Sequence, residues 1–496
     1  MTNWPLRMFK MWISRRKKTV FSAFLLGGII YMIVQVTYYQ QAYSPLRVLP
    51  NAESEARRLL KFITMYHYQC NSSISGGNGT SWKMCTDADV GINLDSNVPK
   101  IAYSVGPQWE YGFEQVLAKN LSFQTYIFVH YSIPPALRTM NASHVYKTVI
   151  VPNDPADFGR NSFETQTLNN VIEKLNHQHI DLLKLESLLD LSNTHELLFY
   201  LIKDGLLSNV KQLHVVFDID KIDEDSLYKW YRTLYLLFHE AGFRLYHTSA
   251  SDTLCLQVTM MESCRYYMSW VQNPGPKTFI LYPPAIDGSY ELEVKRMLEF
   301  LEEQNPVCNN NIDVPVSKSN TFSLCGDILF QKRVVDSDCN ILVFRDKPSV
   351  MSTIDIKGGK CSIQTFALVS KGGTVKVFSN QDTTPTDEDF VTIVERHIKP
   401  KSINIIYISS VAWEVITPLL DSGSLQDIDQ LTVNVEVLDS RPEENPLLIR
   451  QRYSELKRIQ SSGFKFYEIK PFVNGALLFK HHAQEDCCFR LGFIKS

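Results

Sequence analysis

Short apolar runs alternate along the chain with longer segments in which apolar residues recur at helical spacing. Residues 101–105 and 180–185 are mostly apolar without regular polar alternation, which is typical of strands buried on both faces. Apolar residues follow Leu168 at the i+3, i+4 and i+7 positions, and 226–240 is rich in Leu, Tyr and Trp before Gly242. Strands that alternate with helices predict an α/β fold with doubly wound, mostly parallel sheets.

One apolar run is much longer than the others. Residues 20–39 carry no charge, and about 20 apolar residues are enough to cross a bilayer as a helix. The basic cluster 15–18 precedes this run, so the positive-inside rule keeps the N-terminus in the cytosol. We predict a cytosolic tail over 1–19 and one transmembrane signal anchor over 20–39, with the C-terminus in the lumen of the endoplasmic reticulum or Golgi. A cleaved signal peptide, with 42–44 as its cleavage site, is the alternative.

Comparison of the chain with itself reveals a tandem repeat. Several residues recur in the same order and at similar spacing. The matching pairs, first copy and then second, are Cys70 and Cys308, Cys85 and Cys325, Gln212 and Gln430, Gly242 and Gly463, and Cys264 and Cys487. A Pro- and Gly-rich linker over 273–284 separates the copies. The sequence therefore predicts two Rossmann-like domains, 50–275 and 290–496.

The ten cysteines suit an oxidising lumen, where disulfides form and persist. Because Cys70 and Cys85 match Cys308 and Cys325, one disulfide within each copy is predicted. Free buried thiols are the alternative.

Four Asn-x-Ser/Thr sequons, at Asn71, Asn78, Asn120 and Asn141, all lie between residues 71 and 141. Their grouping indicates an exposed face that is glycosylated in a lumenal protein.

Charge and motifs exclude several functions. Lys plus Arg number 50 and Asp plus Glu number 53, and no long basic stretch follows residue 18, so no nucleic-acid partner is predicted. The sequence contains no GxSxG, HExxH or P-loop motif. His177 and His179, like the adjacent His481 and His482, lack the i, i+4 spacing of a helical metal site, so no metal is predicted.

A set of segments in the first copy resembles a known family. These segments are 104–106 with 113–114, 175–177 with 180–184, 212–213, 242–245, and 263–264 with 269–271. Together they resemble the methyltransferase-like protein 24 family, which groups with the FkbM-type methyltransferases. The resemblance implies a Rossmann-like fold, S-adenosylmethionine as cofactor and a single-pass protein of the secretory pathway.

The resemblance also implies where the cofactor binds. It assigns Ser104, Gly106, Glu186 and Asp218 to the cofactor site, and it assigns no catalytic residue. From the residues alone, a plain turn after a strand at Gly106, a surface acid at Glu186 and a helix cap at Asp218 are the preferred alternatives.

The chain departs from the family pattern at several positions. Val129 stands where the family has an acid that accepts hydrogen bonds from the ribose, and Leu188 and Leu189 stand where it has Glu and Gly. The corresponding turn of the second copy, 344–348, contains no glycine.

Two hypotheses of different classes follow. In the first, the lumenal part is an S-adenosylmethionine-dependent methyltransferase in degenerate form, acting on a lumenal glycan or protein. In the second, both copies are non-catalytic, and the pair is a lumenal binding or scaffold protein. A glycosyltransferase-like enzyme is a third, weaker hypothesis.

Overall fold

A computed structural model describes the chain from residue 43 to residue 495, with gaps. The described residues are 43–76, 81–90, 92, 94, 98–106, 111–129, 133, 135–138, 143–152, 164–186, 194–218, 223–251, 263–274, 279–286, 288–317, 320–327, 339–345, 353–356, 359–371, 374–379, 389–399, 402–409, 412–436, 445–471 and 488–495.

The chain divides into two compact units, Met1–Pro45 and Leu46–Ser496, and all elements below belong to the second. The predicted anchor over 20–39 lies outside the described residues. Within them, no helix is long and apolar enough to span a membrane.

The elements up to residue 272 form what we call the first half. Its helices are α1 (Ala52–Thr64), α2 (Gly112–Gln115), which continues as a π-helix (Val116–Asn120), α3 (Pro135–Arg138), α4 (Leu168–Leu175), α5 (Thr194–Lys203) and α6 (Glu224–His239). Its strands are β1 (Ser73–Ser75), β2 (Lys83–Cys85), β3 (Lys100–Val105), β4 (Phe123–Phe128), β5 (Ser143–Tyr146), β6 (Thr148–Ile150), β7 (Glu164–Gln166), β8 (Ile180–Leu185), β9 (Val210–Asp218), β10 (Phe243–Ala250) and β11 (Arg265–Gln272).

The helices of the first half begin where a polar side chain satisfies free backbone N–H groups. Asn51, Thr167 and Asp223 precede α1, α4 and α6, and each accepts a hydrogen bond from the backbone three residues later. Helix α4 ends at Asn176, whose φ of 54° is left-handed. The cap of α6 is therefore Asp223, and Asp218, for which a capping role was considered, is the last residue of β9.

The main sheet of the first half has seven strands in the order β10-β11-β9-β8-β3-β4-β5. The strands from β9 to β5 are parallel, and β11 runs antiparallel between β9 and β10. A mostly parallel sheet whose order reverses beside β3 is compatible with a Rossmann-like fold.

The elements from residue 290 form the second half. Its helices are α7 (Tyr290–Glu302), α8 (Phe390–His397), α9 (Ala412–Ser422) and α10 (Pro446–Ser461). Its strands are β12 (Asn311–Ser317), β13 (Asn320–Cys325), β14 (Cys339–Arg345), β15 (Thr353–Ile356), β16 (Gly359–Lys371), β17 (Thr374–Ser379), β18 (Ile403–Ile408), β19 (Gln430–Glu436), β20 (Phe464–Pro471) and β21 (Cys488–Lys495).

The second main sheet repeats the order of the first. Its strands run β20-β21-β19-β18-β14-β16, again with an antiparallel strand second from the edge, and β15 and β17 both pair with β16. The backbone N–H of Glu186 donates to Val105 O and that of Ser409 to Phe344 O, both at 2.9 Å. These bonds make Val105 equivalent to Phe344, one residue away from the match that the cysteine spacing predicts. The domain boundaries themselves, 50–275 and 290–496, stay predictions.

In each half, helices cover one face of the main sheet and a β-hairpin covers the other. Helices α1, α4, α5 and α6 pack on one face of the first sheet, and α7 to α10 pack on one face of the second. On the opposite faces lie the hairpins β1–β2 and β12–β13, joined in the first half by α2 and the π-helix.

A disulfide and a glutamine fasten each hairpin to its sheet. The predicted bonds Cys70–Cys85 and Cys308–Cys325 are both confirmed. The Gln212 side chain bonds both the N–H and the carbonyl of Cys85, and Gln430 does the same for Cys325. This repeated bond pattern gives the recurring Gln-Leu dipeptide a structural role.

A third disulfide, Cys339–Cys361, links the parallel neighbours β14 and β16 and was not predicted. Cys264 and Cys488 are also disulfide-bonded. No described cysteine is free.

The first helix of each half holds the segment that precedes it. In α1, Glu55 accepts from Leu49 N, and Arg58 pairs with Glu55 and donates to Arg47 O. In α7, Glu293 and Arg296 make the same contacts to Ala285 N and Pro283 O. The segment 279–286, which joins the halves, is thus fixed to the second half as 46–49 is fixed to the first.

Candidate functional site

A row of polar side chains crosses one face of the first sheet near the carboxyl ends of its parallel strands. Ser104 of β3 is in register with Lys184 of β8, Lys184 with His214 of β9, and His214 with Ser269 of β11. Residues in register on adjacent strands share a face. Ligands of open α/β sheets bind beyond the carboxyl ends of such strands, so this row lies directly beneath the expected site.

Lys184 forms the centre of a buried ion cluster. Its Nζ lies 2.7 Å from Glu114 Oε1 and 2.6 Å from Glu186 Oε1, and the Lys184 side chain is 1% exposed. Ser104 Oγ donates to the same Glu114 oxygen at 2.6 Å. Burial alone would lower the pKa of Lys184, but the two carboxylates outweigh it and raise the pKa, so the ammonium stays charged.

Aromatic rings seal the cluster from the hairpin side. Trp82, which directly precedes β2, lies 5.3 Å from Lys184 Nζ, measured to the ring centroid, and Phe113 lies 5.9 Å away. The fully buried His214 ring sits 5.4 Å from Trp82 and 5.1 Å from Phe113. Burial, and then the charge of Lys184, hold the pKa of His214 well below its usual range, so this histidine is neutral.

Two atoms of this region have no hydrogen-bond partner in the described part of the chain. They are Glu114 Oε2 and His214 Nε2, and both are buried. Most buried polar groups in proteins are paired, so these two atoms mark the cluster as incomplete.

Gly106 lies beside Glu186 at the end of β3. Gly106 has a φ of 69° and donates its N–H to Phe128 O at 2.9 Å. That left-handed φ favours glycine, which explains the residue type by the turn alone. Since Glu186 N donates to Val105 O, the structure brings Ser104, Gly106 and Glu186 together, and their role as cofactor ligands stays a prediction.

Asp218 has a different environment. Its carboxylate pairs with Arg265 on the neighbouring β11, with Nε donating at 2.9 Å. Asp218 is partly exposed, so its pair with Arg265 is a strand-end ion pair.

The position expected to bind the ribose is apolar and closed. Val129, at the end of β4, is fully buried and packs with Ala118, Ile127 and Leu137. Its N–H donates to Tyr146 O at 2.9 Å. Leu188 and Leu189, the other departures from the family pattern, lie outside the described residues.

The second half replaces the polar row with uncharged residues. The equivalent positions, in register across the sheet, are Val343, Tyr407, Thr432 and Gly492. Phe322, at the place of Trp82, stacks on Tyr407 at 4.5 Å with an angle of 8°. In the second half Ser409 stands at the place of Glu186, and its hydroxyl donates to Phe344 O.

Sequence reasoning missed the partners that join the site. Glu114 and Lys184 stood in the segments that carried the resemblance, but no role was given to them, and His214 was not considered. A lysine inside an otherwise apolar strand was the available signal, since a buried lysine requires an acidic partner.

Two groups of possible metal ligands lie at the hairpins. They are Cys70, Cys85 and Asp87, and Cys308, Cys325 and Asp327. All four sulfurs are in disulfides and offer no thiolate. Asp87 instead accepts hydrogen bonds from Tyr68 and from the N–H groups of Asn71 and Ser72, which fixes the loop.

No protein-family model matches this chain, and no curated protein matches it. Solved structures of phosphoethanolamine N-methyltransferase 2 from Haemonchus contortus show a weak similarity. The complex with phosphomonomethylethanolamine and S-adenosylhomocysteine is 10% identical, with 92% of this chain and 100% of that chain covered and a TM-score of 0.23. For the selenomethionine form with S-adenosyl-L-methionine, the values are 9%, 90%, 99% and 0.20. TM-scores this low do not establish a shared fold. The evidence for the fold is the strand order described above.

Proposed function

We propose that this chain is a single-pass type II membrane protein of the secretory pathway whose first half, over 50–275, is an S-adenosylmethionine-dependent methyltransferase-like domain. The second half, over 290–496, is a degenerate copy. A lumenal glycan or protein is the proposed methyl acceptor.

The contrast between the two rows carries this proposal. Burying Lys184 with Glu114 and Glu186 costs desolvation energy that well-packed apolar residues avoid. The second half builds the same sheet with Val343 and Tyr407 in register, so the fold does not need the charges. We infer that the first half keeps them for a ligand at the carboxyl edge.

The residues proposed to hold the cofactor are those that converge at this edge. Gly106 offers a backbone that lacks a side chain, Glu186 a carboxylate and Ser104 a hydroxyl, and the unpaired Glu114 Oε2 lies directly below. When bound, S-adenosylmethionine supplies an electrophilic methyl group. Asp218 remains a proposed ligand of lower rank, because it stands at the end of β9, outside the cluster around Lys184, in an ion pair with Arg265.

Calorimetry on the full chain in detergent tests the proposal. We expect micromolar binding of S-adenosylmethionine that is lost in Glu186→Gln. The matched control is Ser409→Ala, which changes the equivalent position of the second half and leaves binding intact. Absence of heat at millimolar ligand, from protein shown to be folded, would contradict the proposal.

One observation favours the non-catalytic alternative. Val129 is buried in an apolar cluster where a ribose-binding acid is expected, so a nucleoside would lose two hydrogen bonds at that point. A lumenal binding or scaffold protein is therefore the second candidate. It is favoured if ligand binds but no methyl group is transferred to any lumenal glycoprotein fraction.

The membrane topology has its own test. Asn71 and Asn120 are exposed in the structure, whereas Asn78 and Asn141 lie outside the described residues. We expect a glycosidase to increase the electrophoretic mobility of the full chain, and Asn71→Gln with Asn120→Gln to reduce that shift. The lumenal placement would be contradicted if the chain carries no glycan and if a protease added on the cytosolic side of intact vesicles digests residues 50–496.

A further inference from the structure

The two halves meet along the segment 279–286, at a place we call the seam. The Leu281 N–H donates to His67 O of the first half at 2.9 Å, and the Tyr282 N–H donates to Ser454 Oγ of α10 at 2.9 Å. The Tyr282 ring lies 5.1 Å from Phe238 and 5.5 Å from Tyr453. Tyr282 thus packs against both halves.

Positive charges gather around Tyr282. The basic residues of the seam are His239, Arg244, Arg296, Arg450 and Lys457, and the carboxylates that act on them are Glu293 and Glu303. Glu293 is engaged in an ion pair with Arg296. Four permanent cations therefore face two carboxylates, one of which is already paired.

The contacts of the remaining cations are neutral groups. The Arg244 guanidinium lies 3.9 Å above the Phe238 ring and donates to the carbonyls of Phe238 and Phe243. Lys457 Nζ lies 4.1 Å from the Phe300 ring centroid. Rings and carbonyls orient a cation but do not neutralise it.

Two buried nitrogens of the seam have no partner in the described part of the chain. They are Arg244 Nε and Arg450 Nη2, and Arg450 is 1% exposed. Burial lowers the pKa of Arg244 to about 10 and that of Arg450 to about 9, since no facing anion compensates it fully. Partial desolvation of the ring, and then the charges of Arg244, Lys457 and Arg296, lower the pKa of His239.

The repeat shows that the fold does not require these charges. Arg450 donates to Tyr282 O, and at the equivalent place in the first half the neutral Tyr228 hydroxyl donates to Leu46 O at 3.0 Å. The counterpart of Lys457 is Tyr235. A tyrosine can therefore do the structural work for which the seam uses a buried arginine.

We propose that the seam binds a small oxyanion, a phosphate or sulfate group, between Arg244 and Lys457. The seam is reached by solvent, because His239 is exposed and Arg244, Tyr282 and Lys457 are partly exposed. A tetrahedral oxyanion offers acceptors to several N–H donors at once, and charge-assisted bonds of this kind are the strong ones. The site is independent of the proposed cofactor site, so either proposal can fail alone.

Thermal unfolding and calorimetry of the full chain test the seam, with inorganic phosphate and sulfate as separate probes and chloride at equal ionic strength as reference. We expect one or both oxyanions to raise the melting temperature above chloride. Lys457→Gln is expected to weaken binding about tenfold, and Lys457→Arg to retain it. The ranking of phosphate against sulfate identifies the natural group.

The matched control is Lys465→Gln, which removes an exposed cation at the place equivalent to Arg244 in the other half. It is expected to leave oxyanion binding unchanged. A second readout is the His239 ring by NMR, whose pKa should rise when the anion binds. The proposal is overturned if neither oxyanion exceeds chloride, or if Lys457→Gln and Lys465→Gln bind alike.

Discussion

The two halves build one sheet topology around different interiors. Under the carboxyl edge of the first sheet lie Lys184, Glu114 and Glu186, a charged cluster with unpaired atoms beside it. Under the second lie Tyr407 and Phe322, stacked and uncharged. The difference teaches which contacts the fold needs. Disulfide, glutamine and strand order recur in both halves, whereas the charges do not.

Removal of the central cation should have the largest effect. Lys184→Met leaves Glu114 and Glu186 facing each other in a buried site, so we expect a loss of about 3–5 kcal/mol in the free energy of unfolding. Urea unfolding followed by tryptophan fluorescence measures it. The control, Tyr407→Phe, loses one hydrogen bond from Asn434 and should cost about 1 kcal/mol. Equal losses in the two variants would remove the contrast between the halves.

The hairpin disulfides should have similar effects in both halves. Their sequence separations are 15 and 17 residues, so the chain-entropy model gives each about 3 kcal/mol. The variants are Cys70→Ala with Cys85→Ala, and Cys308→Ala with Cys325→Ala, compared by chemical denaturation. A large loss in one half alone would indicate that the hairpins are not structurally equivalent.

Replacement of the glutamine that fastens each hairpin should cause the next largest loss of stability. Gln212→Leu leaves the buried N–H and carbonyl of Cys85 without this partner, and we expect a loss of about 2 kcal/mol. Gln430→Leu should do the same at Cys325. Amide hydrogen exchange of the two cysteines provides the measurement, and protection that survives both substitutions would exclude this role.

Acid should weaken the first half more than the second. His67 and His214 are buried with pKa values held well below 6.5, so below that pH the unfolded chain binds protons that the folded chain excludes. Stability is therefore full above about pH 6.5 and falls by about 1.4 kcal/mol per pH unit for each histidine below it.

The variant His214→Thr, which copies Thr432, should reduce this slope. Urea unfolding at several pH values between neutral and acidic measures it. A slope unchanged by His214→Thr would show that His214 is protonated in the folded protein.

Local pattern allowed much of the fold to be predicted. The recurrence of Cys85 and Cys325 with a Gln-Leu pair reflects a contact made in both halves, so it left a trace in the spacing. Ser104, Gly106 and Glu186 come together because the ends of adjacent parallel strands must meet. The Cys339–Cys361 bond left no such trace, since the first half has no cysteines at these places.

The chemistry of the site was harder to predict, because it depends on pairings between distant segments. Glu114 pairs with Lys184, which lies 70 residues later in the sequence, and no local pattern relates the two positions. Asp218 was placed correctly at a strand end, but its partner Arg265 follows from the antiparallel register of β9 and β11. The seam likewise joins residues of α6 and β10 to α10, which no short-range pattern relates.

The ion pairs Glu55–Arg58 and Glu293–Arg296 are a repeated feature that bears on the origin of the tandem arrangement. The segment 279–286, which joins the halves, is equivalent to the arm 46–49 that leads into the first half, and a Glu and an Arg hold each of them in the same way. A gene for one sheet and its arm, once duplicated in tandem, already encoded the joint between the copies. No separate connector was required, and the surfaces that this segment brings together carry charges, such as Arg450, where the first half has the neutral Tyr228.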